Sequence, residues 1–235
     1  MRILSVDLGV RNLAWCVLER NTSSKDPKWA AAPFTGMSVE VVAWKLVDIS
    51  EYRTDGGSNE TDPLNLNDMD IARCVPLFIA ALKAHRDELS SVDMALLEAQ
   101  PVGRVFGGMS SKLVSNVKTK VLSHILQAFL LEHGVKDIRF VSPRTKHKDL
   151  EMEDKSDYRE HKKAAVEATG KAMEIVGGAF LPWWQTRKGK KDDLADCFLQ
   201  GILCARKKVP VPRKRKRHEG NSTAVEPDEE FVPDV

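Results

Sequence analysis

The sequence has few of the features that mark secreted, zinc-binding or membrane proteins. Its four cysteines have no CxxC spacing and lie in apolar segments, which predicts free thiols in a reducing compartment. No His/Cys set has the spacing of zinc ligands. No run of about eighteen uncharged apolar residues is present, so we expect no membrane span. Neither a secretory signal nor an Arg-rich transit peptide is visible at the N-terminus.

Charge is balanced in number but not in position. The formal net charge is only +2 in 235 residues, so the balance by itself predicts no partner. Basic residues concentrate between Arg144 and Lys191 and again in the run RKRKRH from Arg213. Length and composition predict one domain over residues 1–208, followed by a disordered tail over 209–235 that is first basic and then acidic.

The basic run in the tail has two interpretations. RKRKRH matches a nuclear import signal, which would bind an import receptor, and it also suits an arm that contacts DNA without sequence preference. Because no transit peptide is visible, we expect a nuclear or viral setting rather than a mitochondrial one.

Hydrophobic periodicity predicts an order of strands and helices. RILSVDLG and NLAWCVLE indicate a hairpin, and a third strand begins at Val39. A helix capped by Asp68 or Asp70, a fourth strand ending near Glu98, a long helix between Ser110 and Gly134 and a fifth strand follow. Two further helices follow, of which the last begins at the aspartates and runs DDLADCFLQGILCARKK. We therefore expect an α/β fold with a mixed five-stranded sheet flanked by helices, in the ribonuclease H-like order.

Four acidic residues occupy chemically informative positions in this order. Asp7 ends the first strand, Glu98 ends the fourth, and Asp193 and Asp196 share one face of the last helix because they are three residues apart. Singly, each suits a strand-end turn or a helix cap, and capping suffices for Asp192. If the first and fourth strands are neighbours, the four carboxylates meet, and they then require divalent cations such as two Mg²⁺ ions about 3.5–4 Å apart.

Three segments carry a family resemblance. SVDLGVRNLAWCVLE, LLEAQPVGR and KKDDLADCFLQG resemble RuvC-type Holliday-junction resolvases, in the branch shared by poxviruses and fungal mitochondria. The resemblance implies a homodimer that binds four-way branched DNA and makes paired symmetric nicks. It also implies that Asp7, Glu98, Asp193 and Asp196 are both catalytic residues and ligands of Mg²⁺, for which Mn²⁺ can substitute.

Cationic side chains around this site are expected to contact DNA phosphates, although each also suits a solvated surface. Trp183 and Trp184 suit either packing over the last helix or stacking on an opened junction base. The predicted DNA contacts are Arg104, Lys112, Lys118, Arg144, Lys146, Lys190 and Lys191.

Two other functions remain open at this point. A nuclease of the same fold that acts on RNA/DNA hybrids or on other branched DNA would use the same metal site. A non-catalytic junction-binding module is the alternative from a different class, but it would have no reason to keep all four acids.

Overall fold

A computed structural model gives the structure of the chain. It describes residues 1–20, 39–52, 65–100, 110–142 and 158–206, with the side chains of 110–116, 158 and 206 left out. The predicted tail and the two predicted loops near residues 21–37 and 50–67 lie largely outside this part of the chain.

Five strands form one sheet in the described residues, in the order β3-β2-β1-β4-β5. β1 pairs antiparallel with β2 and parallel with β4, so β1 is central. β2 pairs antiparallel with β3, and β4 pairs parallel with β5. The strands are β1 (Arg2–Leu8), β2 (Asn12–Arg20), β3 (Val39–Asp48), β4 (Met94–Glu98) and β5 (Asp137–Val141).

Helices cover both faces of this sheet. α1 begins after Asp70, whose carboxylate accepts a hydrogen bond from the Ala72 amide, and α3 is followed by Gly134 at φ 91°. The helices are α1 (Ile71–Ala84), α2 (Arg86–Ser90), α3 (Ser110–Glu132), α4 (Tyr158–Val176), α5 (Phe180–Thr186) and α6 (Lys191–Arg206).

The alternation of side chains along the strands separates two cores. Leu4 and Val6 of β1 and Leu97 of β4 pack under α1, α2 and α3. Ile3 of β1 and Leu96 of β4 point to the opposite face and pack under α4, α5 and α6. Asp7 and Glu98 have the same parity as Ile3 and Leu96, so both belong to the face that α6 covers.

The predicted fold and element order are confirmed. The predicted hairpin, the later strands and the long helices are present, and α1 is capped by Asp70 rather than Asp68. Short helix α5 was not predicted, and Pro76 lies inside α1. The cysteines are free thiols, with Cys16, Cys74 and Cys197 buried. Among the described helices, none combines the length and apolar character needed to cross a membrane.

Candidate active site

The ends of the two central parallel strands bring Asp7 and Glu98 side by side. The register pairs Ser5 with Leu96 and Val6 with Leu97, and the next residues along the two strands are Asp7 and Glu98. Both side chains are partly buried. Because parallel strands about 4.8 Å apart end together here, the sheet itself places two carboxylates at one edge.

Helix α6 crosses this edge in a direction opposite to β1 and β4. Cys204 near its C-terminus has Sγ 3.9 Å from Met94 Sδ, at the level where Ile3 pairs with Met94. One turn earlier, the buried Gln200 donates from Nε2 to Ser5 Oγ at 3.2 Å and to the Leu96 carbonyl oxygen at 3.2 Å. The N-terminus of α6 therefore lies toward the carboxyl ends of β1 and β4.

The first turn of α6 reaches beyond the end of β1. Asn12, at the start of β2, donates from Nδ2 to Asp193 Oδ2 at 3.3 Å. Asp196 lies between Asp193 and Gln200 along α6, which places it near the level of Asp7 on β1. Electrostatics agree with this placement, since burial raises the pKa of the adjacent Cys197 thiol well above its usual range and the charges of Asp7 and Asp196 raise it further.

A small residue allows α6 to approach the sheet closely. A Cβ atom added at Gly201 would lie 2.9 Å from Leu18 Cδ1 and 3.0 Å from Ser5 Cβ. Trp44 fixes α6 near its N-terminus, because its indole Nε1 donates to the Leu194 carbonyl oxygen at 3.1 Å. These contacts hold the acidic face of α6 against the ends of β1 and β2.

The surroundings of Asp193 disfavour its charged form. Burial raises its pKa, and the nearby charges of Asp192 and Asp196 add to the increase, while Lys190 and Lys162 oppose it. A carboxylate in this position is therefore less stable as an anion than it would be in water. A bound cation would remove that penalty.

Asp192 has a different environment although it is the neighbouring residue. Burial favours its neutral form, but the hydrogen bond and charge of Lys162, together with backbone amides of the helix start, lower its pKa overall. Lys162 belongs to α4, so the ion pair joins α4 to α6. This agrees with the interpretation of Asp192 as a structural residue.

The four carboxylates suit a hard divalent cation by their chemistry, because Mg²⁺ prefers oxygen ligands. In the part of the chain that the structure describes, however, no three His, Cys, Asp or Glu side chains are grouped as metal ligands. The backbone brings Asp7, Glu98, Asp193 and Asp196 to one edge of the sheet, and the side chains are not gathered around a common point. The fit to such ions therefore rests on the oxygen-donor chemistry of the four carboxylates.

Four cations at residues 187–191, from the end of α5 to the first residue of α6, have two kinds of environment. Arg187 lies 4.9 Å from the ring centre of Trp183, and the Lys191 ammonium lies 5.0 Å from that of Trp184. Lys188 and Lys190 are exposed on either side of Gly189, which has φ 76°. Lys190 is thus exposed as a phosphate contact requires, whereas Lys191 is partly covered.

One predicted DNA contact does not have the required exposure. Lys118 on α3 is only 8% exposed, and its ammonium donates to the carbonyl oxygens of Asn67 and Met69 at 2.6 and 2.5 Å. It therefore holds the segment before α1 against α3, and the prediction of a phosphate contact is corrected to this structural role. Arg104, Arg144 and Lys146 lie outside the described residues, as does the side chain of Lys112.

The two tryptophans of α5 pack inside the protein. Trp184 is buried and stacks on Trp44 with ring centres 4.9 Å apart and planes inclined by 13°. Trp183 is partly buried and lies tilted against the same ring at 5.3 Å. Of the two interpretations of these residues, the structure shows packing over the last helix.

Sequence reasoning missed the two amide side chains of the site. Asn12 ends the pattern D-x-G-x-x-N that begins at Asp7, but the pattern alone does not reveal its contact with Asp193. Gln200 is a polar residue between apolar neighbours on α6, one turn after Asp196. A polar side chain on an otherwise apolar helix face was the available signal.

Comparisons with known proteins agree with this geometry. The yeast mitochondrial Holliday junction resolvase Ydc2 aligns with TM-score 0.55 and 18% identity, over 87% of this chain and 78% of its own. RuvC of Thermus thermophilus aligns with TM-score 0.50 and 13% identity, over 88% of this chain and 94% of its own. Both show the same ribonuclease H-like fold. Comparison with curated protein sequences gives no significant match.

A family model identifies the chain more specifically. The model described as "Mitochondrial resolvase Ydc2 / RNA splicing MRS1", for the Ydc2 catalytic domain, matches residues 3–133. This range is just over half of the chain and contains Asp7, Asn12 and Glu98. The protein therefore belongs to the family of the Ydc2 catalytic domain, and it has the fold of the RuvC-type resolvases.

Proposed function

We propose that the protein is a DNA endonuclease that resolves four-way (Holliday) junctions by paired symmetric nicks. One observation carries the proposal: the acidic face of α6 crosses the sheet at the edge where β1 and β4 lie side by side, with Asp7 and Glu98 at or next to their carboxyl ends. Membership in a family described as that of a resolvase supports this assignment. A binding module without catalysis would not need four acids at one edge.

The carboxylates would hold divalent cations, as RuvC-like resolvases generally do. We assign the ligands to Asp7, Glu98, Asp193 and Asp196, and the ions to two Mg²⁺, for which Mn²⁺ can substitute. Such ions stabilise the attacking and leaving oxygens of an in-line phosphodiester hydrolysis. The contribution of the chain is to orient the four carboxylates, while Asn12 holds Asp193 at the β2 side of the site.

The turn before α6 would position the DNA backbone next to these acids. Lys190 is exposed and close enough to influence the charge of Asp193, so it would contact a phosphate near the reacting one. Lys188 is exposed in the same turn and would add a second contact. Lys191 would contact a phosphate after its ammonium group moves away from the Trp184 ring. Arg104, Lys112, Arg144 and Lys146 remain proposed contacts on the sequence alone.

Paired nicks on a two-fold symmetric junction require two active sites, so we propose a homodimer. From the sequence, we expect the interface on the apolar face of the helix predicted from Asp68 to Leu89 or of the one predicted from Ser110 to His133. Val117 and Val121 are exposed by 45% and 39% on one face of α3, beside a cleft of about 450 Å³ that also contacts the start of α1. An exposed apolar face suits a contact between two copies.

For the tail, we propose the import-signal interpretation of the basic run over the DNA-arm interpretation. Residues 213–218 would bind an import receptor, and a nuclear or viral setting would follow. Ending the chain after Lys208 should then remove nuclear accumulation and leave junction cleavage unchanged, whereas a loss of salt dependence without relocalisation would favour the DNA-arm interpretation.

The family description favours one alternative, because it also contains RNA splicing MRS1. Action in RNA splicing, as a protein of this family, is therefore the second candidate function. A substrate panel separates the functions: a synthetic four-way DNA junction, a plain DNA duplex, an RNA/DNA hybrid and a four-way RNA junction, each with and without Mg²⁺. We expect symmetric nicks in the DNA junction, and only with Mg²⁺. Cutting of the hybrid alone would contradict the proposal, as would binding of RNA without cutting.

A further inference from the structure

Gln200 is a buried polar residue in the apolar interface between α6 and the sheet. It is only 4% exposed, and its Nε2 lies 3.2 Å from Ser5 Oγ, 3.2 Å from the Leu96 carbonyl oxygen and 3.5 Å from that of Val6. One amide group thus contacts both central strands, two residues before Asp7 on β1 and two before Glu98 on β4.

The distance along α6 from Gln200 to Asp196 matches the distance along the strands from the Gln200 contacts to Asp7 and Glu98. Four residues of helix rise about 6 Å, and two residues of strand rise about 6.6 Å. A helix that is fixed at Gln200 and runs opposite to the strands therefore carries Asp196 to the level of Asp7 and Glu98. The contact between Cys204 and Met94 repeats the same spacing in the other direction and confirms the alignment.

The polar character of Gln200 sets the rotation and the height of the helix. An apolar side chain of similar volume could fill the same space, but it would accept many small displacements because dispersion contacts have no direction. Hydrogen bonds to Ser5 and Leu96 have preferred distances and angles, so they select one setting of α6. A displacement of about 1 Å in such a setting is large for a catalytic group.

We propose that Gln200 is a positioning residue, which aligns Asp196 and Asp193 with Asp7 and Glu98 for cation binding through its hydrogen bonds to Ser5 and Leu96. This inference rests on the proposed function only for the role of the cations in DNA cleavage. It makes a claim about cation affinity that holds with or without DNA. Gln200 itself is not assigned as a ligand.

The test measures Mn²⁺ binding by the full-length protein without DNA, using the electron paramagnetic resonance signal of free Mn²⁺. Gln200→Met removes the donor and keeps the approximate volume, and it should weaken Mn²⁺ binding about tenfold. Ser5→Ala removes one acceptor, leaves the fold intact and should weaken binding in the same direction by about threefold. The Mg²⁺ concentration for half-maximal junction cleavage should rise by the same factors, while the Kd for junction DNA without metal stays unchanged.

The matched control is Leu203→Ala, which removes a buried apolar side chain from the same helix without touching a polar contact. It should lower thermal stability and leave Mn²⁺ affinity unchanged at temperatures where the variant is folded. Mn²⁺ affinity of Gln200→Met and Ser5→Ala equal to that of the wild type would overturn the proposal, as would a wild type that binds no Mn²⁺. If the wild type binds Mn²⁺ but cuts no junction, the proposed function fails while the metal titration still decides the role of Gln200.

Discussion

Lys162 forms an ion pair with Asp192, and its charge acts to lower the pKa of both Asp192 and the neighbouring Asp193. The pair fastens α4 to α6 at the first turn of the helix that carries the acids. Two adjacent aspartates consequently have opposite pKa shifts. Asp192 stabilises the fold as an anion, whereas burial and the neighbouring charges make the anionic form of Asp193 unfavourable.

Asp192→Asn should therefore lower stability and spare the chemistry. The folded pKa of Asp192 lies below its ordinary value of 3.8, so its stabilising effect is present above that value and disappears as the pH falls through the folded pKa. The pair is partly exposed, so the loss at pH 7 should be about 0.5–1 kcal/mol. Urea unfolding at pH 7 and pH 3 measures it, and an equal difference from the wild type at both pH values would contradict this account.

Asp193→Asn should have the opposite effect on stability. The folded pKa of Asp193 is raised, so the folded state holds its proton more tightly, and ionisation costs stability as the pH rises from 3.8 through the folded pKa. Replacing the carboxylate by an amide should raise the melting temperature at pH 7 in metal-free buffer and reduce cleavage by about a hundredfold or more. A lower melting temperature would show that the anion is stabilised by contacts other than those described.

The sequence predicts the fold well because the strands have strong hydrophobic patterns and turn signals separate the elements. Asp7 and Glu98 are predictable for the same reason, since each ends a clear strand. The exact setting of α6 is not predictable, because it depends on tertiary contacts of Gln200, Gly201 and Trp44 with residues far away in the chain. Short helix α5 was missed because a seven-residue segment with a proline has weak helical periodicity.

Lysine positions show the limit of reasoning from charge alone. The sequence predicts both Lys118, on the helix after Glu98, and Lys190 as DNA contacts. In the structure Lys118 is buried and donates to two carbonyl oxygens, whereas Lys190 is exposed. A charge count cannot distinguish these environments. Only the packing of α3 on the segment before α1 does so.

This difference gives a prediction for DNA binding. Lys190→Ala should reduce the slope of log affinity against log salt for junction DNA by about 0.9, the value for one lost phosphate contact. Lys118→Met should leave the slope unchanged and lower stability, because it leaves the Asn67 and Met69 carbonyl oxygens without their donor. Fluorescence anisotropy over a salt series measures both slopes, and a reduced slope for Lys118→Met would restore it as a DNA contact.

Because Trp184 is stacked on Trp44 inside the protein, we expect its substitution to change stability and not junction affinity. Trp184→Ala should cost about 3–5 kcal/mol of unfolding free energy, because the side chain is buried against Trp44. Trp184→Phe, which keeps an aromatic ring, should retain most of that stability. Junction affinity of the folded Phe variant should equal that of the wild type, and a marked loss would indicate that Trp184 stacks on a DNA base.

The most direct test of the central claim is cleavage of a synthetic four-way DNA junction by the wild type and by Asp196→Asn, followed in Mg²⁺ and in EDTA with binding measured in parallel. We expect paired symmetric nicks by the wild type in Mg²⁺, none in EDTA, and none with Asp196→Asn, while all three conditions retain junction binding. Cleavage by Asp196→Asn at the wild-type rate, or cleavage that persists in EDTA, would contradict the assignment of the acidic edge as a metal-dependent active site.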